Sequence, residues 1–337
     1  MSMKILVPFY PHYASTEKAD YFKIAADITG GEIIATDKNG FFSIVRKIRG
    51  QDVHGHGRGF PFPQIACFFT RKSVYTFHNN FIGQKWHARV LRRFIFNHYD
   101  KIIVQSEFAR QNYIKQGIKP EKLSLIPLPI DYKFYSHNKG DEKAFKQQFK
   151  IGENEPFAFS IGTSYHKNPE IIVEACRIAK IRLIIAGYKD KTQAKSIYGG
   201  FKIGREISTN TDNVIYTGHL RGPDFLSAFD AATMYINSSD EDGEAMGSAV
   251  FEAASAGLPL CVPDYGTFDV FKGSALFHEN HDPKGLAENI LKYLNDPGLR
   301  KTNGEKARQV AANYDYDIVR KQYEDLYREL GMIGGQG

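Results

Sequence analysis

Two carboxylates, Glu244 and Glu252, have seven residues between them, Ala245-Met246-Gly247-Ser248-Ala249-Val250-Phe251, and small residues continue from Ala253 to Gly257 before Leu258-Pro259. Gly247 is suited to start a helix whose free N–H groups attract a phosphate or a polarised sugar hydroxyl, with Glu252 further along it. On one continuous helix an offset of eight residues is ~800°, which sets the carboxylates ~80° apart and lets them reach different parts of one extended ligand. A solvated acidic loop beside a helix-surface glutamate has the same spacing, and spacing alone does not separate the two. His78 closes the apolar run Val74-Tyr75-Thr76-Phe77, where a lone histidine is ordinarily a satisfied structural group. His54-Gly55-His56-Gly57 has the look of a metal-ligand pair, but no third ligand is evident and the glycines suggest a mobile loop, so it receives no role.

The elements that must position these groups follow from short runs rich in Val and Ile. Strands are expected at 4–8, 32–36, 65–69, 74–77, 101–104 and 123–126, with helices over 18–28 and 106–116 between them. After a polar stretch at 137–142 and the basic amphipathic piece 143–150, a second alternation brings strands at 157–161, 182–186, 213–217, 233–237, 259–262 and 275–277. Gly162, Gly187 and Gly218 follow three of them, where strand-to-loop turns need positive φ or close backbone approach. Residues 282–330 read as helix with an interruption at Asn295-Asp296-Pro297-Gly298. Repeated βα alternation requires doubly wound parallel sheets, here one in each half of an α/β chain, and ligands of such sheets bind beyond the carboxyl ends of the strands.

Composition is consistent with two such cores. The chain has 337 residues, 42% hydrophobic and 13% aromatic, which excludes disorder and exceeds the usual size of one domain. Cys67, Cys176 and Cys261 lie far apart in or beside apolar runs and read as reduced buried thiols. The start, Met1-Ser2-Met3-Lys4 and then Ile5-Leu6-Val7, is too short an apolar stretch for a signal peptide or a membrane span, so a cytoplasmic protein is expected. Residues 1–150 hold 24 Lys+Arg against 12 Asp+Glu, a net +12, and the rest hold 20 against 26, a net −6. Only the first half is therefore suited to an anionic partner, and the basic amphipathic stretch 84–99 favours a phosphorylated acceptor or the inner face of an anionic membrane over nucleic acid, for which no recognition element is seen.

The segment Glu244 to Leu260 resembles the E-x7-E region of family-4 retaining glycosyltransferases, with Ala245 and Met246 in place of Gly and Phe. Asn213 to Gly218, Ala231 to Ser238, Ile103 to Glu107 and Ile126 to Asp131 are similar to other strands of that family in the same order. The resemblance implies a GT-B architecture: two Rossmann-like domains facing a central cleft, with an acceptor-binding domain at 1–135, a nucleotide-sugar-binding domain at 136–313, and a C-terminal helix, 314–337, returning to the first domain. It implies that Glu252 bonds the ribose hydroxyls, that Glu244 and His78 contact the donor sugar, and that Gly247, Ser248, Met246 and Ala249 line the donor. Gly162-Thr163-Ser164-Tyr165-His166-Lys167-Asn168 resembles the phosphate loop, with Lys167 as its cation; His219 also falls to the donor site. The family's Arg before that Lys is missing, so either His166 shares the task or phosphate binding is weaker, and its Gly-Gly turn is replaced by Pro11 to Thr16, which passes phosphate contact to the hydroxyls of Ser15 or Thr16. Asp240-Glu241-Asp242 looks like the D-x-D metal site of the other large glycosyltransferase architecture, but its context argues against that role, and no metal and no cofactor beyond the nucleoside-diphosphate sugar are expected. The implied activity is sugar transfer from a UDP- or GDP-type donor to a hydroxyl of a glycan, glycolipid or lipid-linked saccharide with retention. A nucleotide-sugar epimerase and a catalytically silent nucleotide-sugar-binding subunit are the alternatives.

Overall fold

In the computed structural model the described residues are 3–8, 20–57, 62–78, 86–187, 213–241 and 243–334. Ser15, Thr16 and Asp242 lie outside them. The chain forms two compact units: residues 1–129, 244–246 and 316–337 make the first, and 130–243 with 247–315 make the second.

The first unit is built on a six-stranded parallel sheet of β1 (Lys4–Val7), β2 (Glu32–Ala35), β3 (Asp52–His56), β4 (Lys72–Thr76), β5 (Lys101–Val104) and β6 (Leu123–Leu125), in the order β2-β1-β3-β4-β5-β6. One face packs Met3, Ile5, Val7, Val74 and Ile103 against Val319, Tyr323 and Tyr327 of the helix Tyr316–Glu329. The other gathers Tyr75, Phe77, Phe96, Tyr99, Ile102 and Tyr113. Burial on both faces is what makes β1 and β5 nearly continuous apolar runs.

Two expectations are corrected here. Residues 65–69 are not a strand: Phe62–Ile65 is helical and Ala66–Phe68 is a 3-10 turn. Pro63 suits a helix's first turn, and Ala66 is buried while Phe68 is exposed, a face pattern that a buried strand would not give. The strand lies instead at Asp52–His56, all five residues of it buried, so the His-Gly-His run is a central strand and not a mobile loop. Its polar side chains are tolerated because each has a partner: Asp52 an ion pair with Arg71, His54 bonds to Thr76 and Tyr327, and His56 a bond to His78.

The second unit carries β7 (Phe157–Ile161), β8 (Arg182–Ala186), β9 (Val214–Tyr216), β10 (Met234–Ile236), β11 (Leu260–Pro263) and β12 (Ala275–His278), all parallel, in the order β12-β11-β10-β7-β8-β9. Ala158, Leu183, Ile185, Met234 and Cys261 pack on the helices Pro169–Ala179 and Pro283–Asn295. The interruption at Asn295 to Gly298 separates the latter from Pro297–Ala311, and Asp296 caps the new helix by accepting the Leu299 N–H at 2.8 Å. The three cysteines are free, Cys176 and Cys261 fully buried and Cys67 partly so.

Candidate active site

The strand order of the second unit reverses between β7 and β10, the topological switch point at which the loops beyond the strands diverge and leave room for a ligand. After β7 the chain turns through Gly162 at φ +96°, and a Cβ there would lie 3.3 Å from Lys167 Cγ, so the missing side chain makes room for the lysine's stem. Gly187, at the end of β8, has no side chain for a similar reason, since its Cβ would meet Thr163 Cγ2 at 2.9 Å. Residues Tyr165–Lys167 form a 3-10 turn, and Asn168 then adopts left-handed backbone angles, φ 44° and ψ 55°, before Pro169 starts the helix Pro169–Ala179.

That loop is held by the segment after β10. Ser238 Oγ donates to the carbonyls of Lys167 or Asn168, at 2.8 and 3.0 Å. Asn168 Nδ2 donates to the Ser238 carbonyl at 2.9 Å and to Asp240 Oδ1 at 2.7 Å, and the Asp240 N–H donates to the His166 carbonyl at 2.8 Å. The sequence names Asn168 only as the end of the phosphate loop and Asp240 only within the D-x-D run that its context argues against, and it gives Ser238 no site role. The available signal is Asn168-Pro169, because Asn tolerates left-handed angles and Pro favours the first helical position. His166 lies 3.4 Å from Ser164 Oγ through Nε2, and Gly243 must be glycine because a Cβ would lie 2.6 Å from that of His166.

The helix after β10 runs Ser248–Ala256 behind Gly247, which sits at φ +77° and offers no capping side chain to the first-turn amides. Ser248 and Glu252 are one turn apart on one face; Glu252 is buried, Ser248 half-buried and Ala249 buried. Glu244 precedes the helix in irregular chain, so the angular offset expected from a continuous helix does not apply. It is half-buried, and with Ala245 and Met246 it groups with the first unit, where Met246 Sδ accepts the Leu128 N–H at 3.1 Å. His219, after β9, is half-buried; burial first and Arg221 second hold its pKa below the ordinary histidine value.

In the first unit His78 follows β4, half-buried, with both ring nitrogens engaged: Gln105 Nε2 stands 3.0 Å from Nδ1, and His56 Nδ1 stands 3.2 Å from Nε2. Tyr21 lies against the ring at 4.5 Å between centroids. Among the described residues no group of three or more His, Cys, Asp or Glu is placed to hold a metal ion, and no helix is long and apolar enough to cross a membrane.

The family profile "Glycosyl transferases group 1" matches residues 141–310, and "Glycosyltransferase Family 4" matches 38–134. An alpha-galactosylglucosyldiacylglycerol synthase from Streptococcus pneumoniae is 20% identical over 258 residues, covering 73% of this chain and 66% of that protein. An exopolysaccharide phosphotransferase from Streptomyces coelicolor is 32% identical over 94 residues, 27% of this chain and 10% of that protein. The chain thus spans less than two thirds of the length of either curated relative. The Anabaena protein HepE, solved with UDP-glucose, superposes with a TM-score of 0.75 at 15% identity, over 98% of this chain and all of that one.

Proposed function

Because the chain belongs to the glycosyl transferases group 1, whose profile covers half of it, we propose that it transfers a sugar from a nucleoside-diphosphate sugar to a hydroxyl acceptor with retention at the anomeric carbon. The observation that carries this reading is the clamped loop Gly162 to Asn168 at the switch point of the second sheet, with Lys167 on it. In the reaction the bond from the anomeric carbon to the diphosphate oxygen breaks as the bond to the acceptor oxygen forms. The acceptor's proton passes to the departing diphosphate, and Lys167 with the first-turn amides of Ser248–Ala256 offsets its charge. Glu252 holds the ribose hydroxyls, Glu244 and His78 serve the donor sugar, and Thr163, His166 and His219 complete donor binding. No divalent ion is needed in this scheme.

HepE is solved with UDP-glucose, which favours a uridine donor. The acceptor is a glycan or lipid-linked saccharide: the synthase relative is named for a glycolipid, and the first half of this chain is basic. Arg89, Val90, Leu91 and Phe94 are exposed on the helix Trp86–Phe96, which supports peripheral contact with an anionic membrane. A panel of UDP- and GDP-sugars tested for thermal stabilisation decides the donor, since a ligand at 100 times its Kd adds about 2.7 kcal/mol. Glu244→Ala is expected to lose transfer and keep nucleotide binding. If no nucleotide sugar raises the melting temperature, the reading fails.

A further inference from the structure

His54 and His56 have no part in the scheme above, yet they are buried in the middle of the first sheet and lead directly to His78. His54 stacks on His56 at 4.2 Å and 25°, and His56 stacks towards His78 at 5.5 Å and 18°. His54 is locked from both sides, with Nδ1 2.6 Å from Tyr327 Oη and Nε2 2.7 Å from Thr76 Oγ1. Gln105, buried at the end of β5, completes the array on the far side of His78.

We propose that His56 and Gln105 are positioning residues that hold the His78 imidazole neutral, in one tautomer and one orientation. The inference rests on the part given to His78 in the proposed transfer. The amide nitrogen of Gln105 carries only donor hydrogens, so Nδ1 of His78 accepts and the ring's single proton sits on Nε2. That N–H faces Nδ1 of His56, which accepts in turn. A second proton on His78 would set Nδ1–H against the Gln105 amide, donor against donor, beside the buried side chains of His56 and Gln105. The array therefore selects the uncharged ring. Its use follows from the reaction: a carbon that becomes oxocarbenium-like gains positive charge, and an imidazolium beside it would oppose that charge where a neutral imidazole does not. Burial holds His54 neutral as well, its pKa down at about 3, and Tyr21, Phe22, Thr76, Tyr323 and Tyr327 also stand around the array.

The test uses the full chain with donor and acceptor. Gln105→Glu replaces the donor by an acceptor and should draw a proton onto Nδ1 of His78. His56→Leu removes the partner of Nε2, while His56→Asn keeps an acceptor oxygen near the same place. Gln105→Glu and His56→Leu are expected to lower kcat about tenfold or more, with the donor KM and nucleotide Kd within about threefold of wild type, and His56→Asn to recover most of the loss. Imidazole 15N NMR at pH 7 should show His78 in the Nε2–H form in the wild type and doubly protonated in Gln105→Glu. An Nδ1–H tautomer in the wild type, or an unchanged kcat in a folded Gln105→Glu, overturns the proposal; if Gln105→Glu does not fold, an unchanged kcat in His56→Leu does so. Absence of any transfer by the wild type would instead count against the proposed function, and the NMR tautomer would still decide this inference.

Discussion

His278 closes β12 at 4% exposure, and neither ring nitrogen has a hydrogen-bond partner among the described residues. Burial, opposed by Asp282, lowers its pKa from 6.5 to about 4. As the pH falls below 6.5 the unfolded chain binds a proton there and the folded chain does not, so stability is complete above that value and is lost downward towards pH 4. At pH 5 the loss is about 2 kcal/mol, and it approaches about 3.4 kcal/mol once the pH is below 4. His278→Leu removes the titrating group and both unpartnered nitrogens while keeping a side chain of similar bulk. The variant should be at least as stable as the wild type at pH 7.5 and should lose about 2 kcal/mol less on going to pH 5, because a buried polar group without a partner itself costs about 1–3 kcal/mol. Urea titrations followed by far-ultraviolet circular dichroism at both pH values give the difference. His54, whose pKa is also depressed by burial, contributes equally to both proteins and cancels. Equal acid losses in the two proteins would refute the reasoning.

Three further outcomes follow from the second unit. Lys167→Ala should reduce kcat/KM by about 10²- to 10³-fold in a transfer assay, with a chelator leaving the wild-type rate unchanged. Ser238→Ala deletes the hydroxyl that secures the carbonyls of Lys167 and Asn168; it should raise the donor KM and lower stability by about 1–2 kcal/mol, read by kinetics and urea unfolding. Gly257→Ala forces a side chain to φ +85° and to 2.6 Å from Arg308 Nη2, so it should cost at least about 1 kcal/mol in the same unfolding assay without changing the donor KM.

Much of the framework is legible because it is local. Lys101–Val104, Phe157–Ile161 and Arg182–Ala186 are apolar runs whose ends coincide with the observed strands, and Ser106 caps its helix by accepting the Ala109 N–H at 3.1 Å. β3 is hidden because its polar residues are stabilised by partners far along the chain: His54 meets Thr76 at a separation of 22 residues and Tyr327 at 273. A periodicity search cannot register such partners. The clamp on the Lys167 loop is hidden for the same reason, since Asn168 and Ser238 lie 70 residues apart. The glutamates, the lysine and His78 are named through the family resemblance of the short segments that carry them, not through spacing alone. What holds them is distributed, and the run 244–246 groups with a different unit from the helix it precedes.

The helix Tyr316–Glu329 completes the core of the first unit, although the whole of 130–315 intervenes. During synthesis the sheet of residues 3–125 has Phe22, Ile24 and Ala25 for the face of Ile5, Val7, Val74 and Ile103, but lacks Val319, Tyr323 and Tyr327 there until the ribosome has made some two hundred further residues. The second unit has nearly all of its segments in hand earlier and can consolidate first. The first half of the translated chain is therefore the last to become native, and its apolar face is the surface that a chaperone would need to shield in the interval.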